Sequence, residues 1–217
     1  MIQERIKAHY PHHLEAERQL TTKKSMYVAD YNKQTGSKEG VKLFCCPPTE
    51  EIKCFILNNP CGIEITGLPF DKMSFVKPEG GSESQCECVI YPKENDETSW
   101  ICFVELKYSA KPANNRSNLI KARRQLLRTQ ACYQSKQVID KRNTCYLFAS
   151  LPKQTEPFLH FTLTQSYLID LKRRFNIVLR DSRTRPKSST TQCSAYNPTL
   201  TPHITTNGNS TCRVRNE

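Results

Sequence analysis

A carboxylate and an ammonium interrupt a run of apolar residues in the middle of the sequence. The stretch SWICFVELKYSA covers residues 99–110, and within it Glu105 and Lys107 stand two positions apart. Because alternate residues of a β-strand point to the same face, these two side chains share one side of the predicted strand. Charged groups are costly in an apolar strand unless they are paired or used, so the pair indicates a functional site.

A second acidic residue, Glu87, interrupts the preceding strand candidate, CECVIY at 86–91. If this strand forms a hairpin with the one at 100–108, Glu87 and Glu105 become neighbours on one face of the sheet. Two carboxylates can hold a hard divalent cation that prefers oxygen ligands, Mg²⁺ above all and Mn²⁺ as a substitute. Such a cation polarises a scissile phosphate and activates a bound water, which Lys107 could position. The alternative is a Glu–Lys ion pair on an exposed sheet face.

A long basic helix is predicted directly after these strands, from 116 to 140, because apolar residues recur there at helical spacing. Its basic residues could hold a phosphate backbone without reading bases, and the candidates are Lys121, Arg123, Arg124 and Arg128. Gln125 adjoins the apolar stripe and could border the active face of the sheet. The alternatives are a solvated outer face for the basic residues and a rim position for the glutamine.

The whole chain is basic, with 32 Lys and Arg against 21 Asp and Glu and a formal net charge of +11. This balance favours an anionic partner such as nucleic acid. No run approaches the roughly 18 uninterrupted apolar residues of a spanning helix, so we expect no membrane association. The N-terminus MIQERIKAHYPHH lacks the apolar core of a secretory signal, and we expect a cytoplasmic protein.

The 11 cysteines do not form the pattern of a disulfide framework. Several lie in strand-like apolar runs, where a reduced thiol acts as a small hydrophobe. The close pairs, Cys45–Cys46 and Cys86–Cys88, lack the gap of about two to four residues that zinc ligands need. His9, His12 and His13 cluster at the polar N-terminus, where we expect solvated imidazoles rather than metal ligands.

The remaining pattern predicts an α/β fold with a central mixed β-sheet flanked by helices. Further strands are expected at 52–57, 62–68, 73–76, 144–151 and 176–180, and a further helix at 166–175. This core should span 50–180. Residues 1–49 are predicted as a polar N-terminal extension with loops and a short helix around 13–20. Residues 181–217 are predicted as a disordered, polar, basic tail, because few large apolar residues there could offset the ordering entropy.

The order of CECVIY, an apolar strand ending in ELK, and a helix carrying ARRQL resembles the PD-(D/E)XK nuclease superfamily, which has the restriction-endonuclease-like fold. The resemblance covers about 50–180 and is nearest to small stand-alone bacterial members. Glu87 takes the place of the first acidic residue, Glu105 and Lys107 match the (D/E)-x-K element, and Gln125 matches the Gln or Lys often found on the next helix. The resemblance implies metal ligation by Glu87 and Glu105 and hydrolysis of phosphodiester bonds, in DNA more than in RNA.

Two departures from the family pattern keep a second hypothesis open, a non-catalytic nucleic-acid-binding module that retains the nuclease fold. Glu87 stands where Asp is usual. No residue stands out as the helical glutamate that often opens the motif set, for which the candidates are Glu15, Glu17 and Glu51. The presence of both Glu105 and Lys107 inside the apolar strand favours the hypothesis of an active nuclease. A homodimer is compatible with cutting two strands, although no sequence feature requires one.

Overall fold

The computed structural model describes residues 1–15, 19–49, 51–77, 79–154, 163–183 and 203–206. The helices are α1 (Ile2–His9), α2 (Tyr31–Thr35), α3 (Asn115–Ser135) and α4 (Gln165–Phe175). The strands are β1 (Leu20–Thr22), β2 (Met26–Asp30), β3 (Val41–Phe44), β4 (Phe55–Asn58), β5 (Ile65–Pro69), β6 (Cys88–Pro92), β7 (Ile101–Leu106), β8 (Cys145–Leu151), β9 (Ile177–Arg183) and β10 (His203–Thr206).

Two sheets form the framework. The larger has six strands in the order β1-β5-β6-β7-β8-β9, antiparallel from β1 to β7 and parallel from β7 to β9. The smaller has four antiparallel strands in the order β10-β4-β2-β3. The parallel half is connected through α3 and α4, as parallel neighbours require. The predicted α/β class with a mixed central sheet is therefore confirmed.

Helices α1, α3 and α4 pack on one face of the larger sheet. Phe103 of β7 and Leu147 of β8 share a core with Leu126 of α3, Leu171 of α4 and Ile6 of α1. The crossovers through α3 and α4 advance in the same direction along the sheet, and right-handed crossovers then place both helices on the same side. The helices that the sequence predicted around the sheet thus leave its other face uncovered.

The smaller sheet covers that second face. Ile90 and Val104 of the larger sheet pack against Val28 of β2 and Leu57 of β4. The two sheets come close at Gly67, where an added Cβ would lie 2.6 Å from the sulfur of Met26. Burial on both faces explains why β6, β7 and β8 are almost continuously apolar in sequence.

Residues 1–49 belong to the domain and are not the extension that the sequence predicted. α1 buries Ile2 and Ile6 in the main core, and β1, β2 and β3 contribute to the two sheets. These strands have only three to five residues, too short to give a clear periodic signal. The helix predicted around 13–20 is instead a 3-10 turn at Pro11–Leu14 followed by β1, with residues 16–18 outside the described part of the chain.

Other element boundaries also differ from the prediction. Residues 73–76 form no strand, because Ser74 N closes a turn onto Asp71 O at 3.1 Å. The long helix ends at Ser135 rather than near 140, just before Gln137 adopts a φ of 56°. Such a left-handed backbone conformation is incompatible with continuing the helix.

The disordered tail was predicted to begin at 181, which is too early. Asp181–Arg183 continue β9 along the whole length of β8, and His203–Thr206 pair with β4. Asp181 is fixed by an ion pair with Arg123 of α3, which extends the order past the last apolar residues. The rest of the predicted tail, 184–202 and 207–217, lies outside the described residues.

Within the described ranges, none of the helices combines the length and the apolar character that crossing a membrane requires.

His13 is buried, contrary to the expectation of a solvated imidazole. Its Nδ1 lies 3.1 Å from Tyr133 Oη, and its Nε2 lies 2.7 Å from Ser74 O. Burial lowers the pKa of His13 from 6.5 to about 4. The hydrogen bond with Ser74 O acts in the opposite direction and offsets only part of this decrease. The imidazole therefore belongs to the core that joins the N-terminal segment to α3.

We expect this buried imidazole to make the fold sensitive to acid. Between pH 6.5 and 4 the unfolded chain binds a proton at His13 that the folded chain does not bind, so the contribution of His13 to stability falls as the pH falls, by about 2 kcal/mol at pH 5. Urea unfolding of wild type and His13→Gln at pH 7 and pH 5 measures this loss. The variant should lose less stability between the two values, and equal losses would contradict the assignment. His12→Gln is the matched control.

Candidate active site

The β6–β7 hairpin brings the two predicted carboxylates to one place. Cys88 pairs with Val104 in this hairpin, and Glu87 immediately precedes this last paired position of β6. Glu87 N also donates to Val104 O, at 2.9 Å, so Glu87 and Cys88 both lie opposite Val104, as in a β-bulge. Phe103, which alternates with Glu105, packs beneath the helices, so Glu105 lies on the helical face. Glu87 lies near enough for its charge to raise the pKa of Glu105.

Lys107 joins this pair to the long helix. Its Nζ donates to Glu105 Oε1 and to Gln125 Oε1, both at 2.6 Å. Gln125 Nε2 donates to Gln85 O at 2.7 Å, which turns the amide oxygen of Gln125 towards the ammonium. The structure thus brings together all four residues that the sequence proposed for catalysis, and the helix fixes where the ammonium points.

Burial makes both carboxylates resist ionisation. Glu105 is 0% exposed, and burial, followed by the charge of Glu87, raises its pKa to about 8 against the opposing effect of Lys107. Burial, followed by the charge of Asp30, raises the pKa of Glu87 to about 7. A nearby cation favours ionised carboxylates. The ammonium of Lys107 offsets only part of the cost of ionising Glu87 and Glu105, because both pKa values remain raised. A second cation beside the two carboxylates would therefore be favourable.

The donor atoms suit a hard divalent cation. Glu105 Oε2 is buried and has no hydrogen-bond partner among the described residues. Mg²⁺ commonly binds through one or two carboxylates and keeps several waters. Within the described ranges, no group of three or more His, Cys, Asp and Glu side chains is arranged to hold a metal ion. Glu87 and Glu105 could therefore hold Mg²⁺ or Mn²⁺ only together with water or substrate oxygens.

The basic residues proposed to contact nucleic acid fall into two groups. Lys121 and Arg124 are exposed on α3, and Arg128 is exposed but pairs with Glu83 at 2.7 Å. Arg123 is buried within the stripe of α3 that faces the sheet, where it pairs with Asp181. A residue of that stripe cannot reach a ligand on the outer face of the helix. The surface available to phosphate thus centres on Lys121 and Arg124, without Arg123.

Asp30 is the functional candidate that the sequence analysis missed. It ends β2, is only 5% exposed, and its charge contributes to the raised pKa of both Glu87 and Glu105. The signal was a carboxylate closing the apolar run MYVAD, the same pattern that marked Glu105. It was overlooked because the residues that follow it are rich in turn formers and 1–49 was predicted as a polar extension with loops.

The three candidates for an opening glutamate lie elsewhere or outside the described residues. Glu51 is exposed in the turn before β4, and Glu15 lines a small concavity together with His12 and Asp71. Glu17 falls within the undescribed residues 16–18. The acidic group that the structure adds to the site is therefore Asp30.

No protein-family model matches the chain, and no curated protein or solved structure is similar to it. The restriction-endonuclease-like fold thus stays a prediction that rests on the motif residues.

Proposed function

We propose that the chain is a metal-dependent nuclease, a Mg²⁺-dependent phosphodiesterase that hydrolyses phosphodiester bonds in DNA rather than RNA. One observation carries the proposal: Glu105 Oε2 is buried without a hydrogen-bond partner among the described residues, while Lys107 Nζ lies 2.6 Å from Glu105 Oε1 and the charge of Glu87 acts on the same carboxyl. A sheet that only needed to fold would gain by placing apolar residues here, because buried ion pairs contribute little stability.

The chain's own residues divide the work of such a reaction. Glu87 and Glu105 would bind the cation, which when bound polarises the phosphate and lowers the pKa of a water molecule. Lys107 would donate to the attacking water and to the charge that develops on the phosphate oxygens. Gln125 would hold Lys107 in that orientation through its 2.6 Å contact.

A test of activity compares plasmid DNA and single-stranded RNA incubated with the purified chain in Mg²⁺, in Mn²⁺ and in EDTA. We expect nicking or cutting of DNA with either cation and none with EDTA. Binding without cleavage under every condition would instead support the second candidate, a non-catalytic nucleic-acid-binding module. The observation that favours this second candidate is the Lys107–Glu105 contact itself, since the ammonium already offsets part of the charge that a cation would compensate.

Two exposed basic residues of α3, Lys121 and Arg124, are proposed to bind the phosphate backbone. Lys121 stands four residues before Gln125, so it occupies the same side of the helix one turn away. Arg124 is exposed beside it. Contacts of this kind bind DNA without reading its sequence. The proposal is compatible with a homodimer in which two such sites cut two strands.

Neutralising these two residues should weaken binding in a salt-dependent way. For Lys121→Ala/Arg124→Ala, we expect the slope of log K against log salt concentration to become less steep by about 2, because each lost phosphate contact releases fewer counterions. Filter binding on a fixed duplex across a salt series measures the slope. Arg173→Ala/Arg174→Ala on α4, which removes two other exposed cations, is the matched control. If the control changed the slope as much, α3 would be only a solvated face.

A further inference from the structure

The candidate site reaches solvent at the end of the larger sheet where the parallel strands β7 and β8 finish. Glu105 is 0% exposed, whereas the side chain of Lys107, directly after β7, is 22% exposed. Lys107 N donates to Ser150 O at 2.8 Å, so the pairing of the two strands continues to this end. Ligands of open α/β sheets commonly bind outside the carboxyl ends of the strands. A substrate would therefore reach Lys107 past the connections that leave β7 and β8, residues 107–114 and 152–154.

Hydrogen bonds join these two connections to each other and to the start of α3. Gln154, after β8, is only 3% exposed, and its Nε2 donates to Ser109 O in the connection after β7. Its Oε1 accepts a hydrogen bond from Nδ2 of Asn115, the first residue of α3, at 3.2 Å. Ser109 Oγ accepts from Lys111 N at 3.3 Å. A buried amide thus holds the ends of both strands and the start of the helix in one arrangement.

Three exposed cations lie on these segments, and we call them the strand-end surface: Lys111, Arg116 and Lys153. Lys153 Nζ lies 6.0 Å from the centroid of the Tyr108 ring, where the face of the ring attracts a cation, and Tyr108 directly follows Lys107. Lys111 lies in the connection after β7, and Arg116 lies in the first turn of α3. The chain segments that carry the three cations therefore meet beside Lys107.

The strand-end surface lacks the ion pairs that neutralise the opposite end of the sheet. At that opposite end, Arg142 pairs with both Glu97 and Asp140. The sequence around the strand-end surface has no Asp or Glu from 106 to 139 and none from 145 to 154. None of its three cations forms an ion pair with a residue that the structure describes. Positive charge that no carboxylate compensates attracts an anionic partner to this end.

We infer that nucleic acid approaches the candidate site at the strand-end surface, where Lys111, Arg116 and Lys153 contact its phosphate groups. This inference rests on the proposed function, because it takes nucleic acid as the partner. It adds a second region to the proposed contacts on α3, since Lys121 lies five residues after Arg116, about 7.5 Å along the helix axis. The phosphate backbone then runs from α3 across the strand ends, past the exposed side of Lys107. Such contacts position the nucleic acid without reading its sequence.

A lysine acetylation footprint of the full wild-type chain tests the inference directly. The reaction is run in EDTA with and without a saturating DNA duplex, so that the duplex is not cut, and mass spectrometry measures the acetylation of each lysine. We expect Lys111 and Lys153 to be acetylated several-fold more slowly with the duplex, because a bound phosphate covers the ammonium. Lys93 and Lys141, which are exposed at the opposite end of the sheet, should react at unchanged rates.

Substitution of the same lysines measures how many phosphate contacts they make. Lys111→Gln/Lys153→Gln removes both charges and keeps a polar side chain at each exposed position, so the fold should persist. In filter binding on the same duplex, we expect the slope of log K against log salt concentration to become less steep by about 2. Lys93→Gln/Lys141→Gln, the matched control, removes two exposed cations from the opposite end and should leave the slope unchanged.

The outcomes separate this inference from the proposed function. If the chain cuts DNA in Mg²⁺ but Lys111 and Lys153 react as fast with the duplex as without it, the inference is wrong and the nuclease proposal stands. Equal protection of Lys93 and Lys141 would also overturn the inference, because the contact would not be specific to one end. Protection by polyglutamate and not by the duplex would assign the surface to an acidic protein partner instead. A wild-type chain that neither binds nor cuts DNA would overturn both proposals.

Discussion

Glu105→Gln is expected to abolish metal-dependent cleavage and at the same time to stabilise the metal-free protein. The variant removes a ligand of the proposed cation together with a buried charge. Because burial and Glu87 raise the pKa of Glu105 from 4.5 to about 8, the folded state opposes the ionisation that the unfolded state accepts. The contribution of Glu105 to the stability of the metal-free wild type therefore falls as the pH rises from 4.5 to 8. At pH 8 the variant should be more stable by about 4 kcal/mol.

Urea unfolding in EDTA at pH 6.5 and pH 8, together with a plasmid cleavage assay, tests both effects. The difference between variant and wild type should grow between the two pH values, because the folded wild type keeps at Glu105 a proton that the unfolded chain has released. His13 is present in both proteins and does not contribute to the difference. Mg²⁺ should stabilise the wild type, by about 2.7 kcal/mol at 100 times the dissociation constant, and leave the variant unaffected. Glu64→Gln, at a half-buried carboxylate that pairs with Lys93 away from the site, should change neither property. Retained cleavage in Glu105→Gln would rule out direct metal binding by this carboxylate.

The hairpin and the helix after it were predictable because their signals are local. β7 and β8 are long apolar runs, and a charged pair inside such a run is conspicuous in sequence. The period of two then places Glu105 and Lys107 on one face, and an antiparallel hairpin is the simplest way to bring Glu87 beside them. The contact of Gln125 with Lys107 also follows once α3 is placed on that face.

The smaller sheet was not predictable in the same way. β2 and β3 are short and surrounded by polar turn residues, and they are strands because of long-range pairing with β4 and burial against β6 and β7. Strand preference depends on such tertiary context more than helix preference does. Asp30 reaches the site only through this packing, so no local pattern could have assigned it to Glu105.

Arg123 shows the same limit within a well-predicted element. Charge and helical spacing grouped it with Lys121 and Arg124 as a phosphate contact. Its ion pair with Asp181 is made by a strand that the sequence predicted to end at 180, so the partner was assigned to the disordered tail. Charge alone does not distinguish a solvated cation from one that is buried by a distant carboxylate.

Lys107→Met is expected to lower the rate of cleavage at least about 1,000-fold while the chain stays folded and still binds DNA, since Lys107 is proposed to act on the transition state. Methionine keeps the length of the side chain without its charge. Glu105 loses the cation that lowers its pKa and takes up a proton, which avoids an unpaired buried charge. Single-turnover cleavage at saturating enzyme measures the rate, and filter binding measures the affinity.

Lys107→Arg distinguishes catalysis from a purely structural ion pair. A guanidinium keeps the positive charge beside Glu105, so a structural ion pair would survive and the variant would behave as the wild type. The planar guanidinium cannot reproduce the two 2.6 Å contacts of a compact ammonium with Glu105 and Gln125 and also donate to an attacking water. We therefore expect Lys107→Arg to be folded, to bind DNA and to cleave it at least about 100-fold more slowly than the wild type. Full activity in this variant would show that Lys107 serves only to neutralise Glu105.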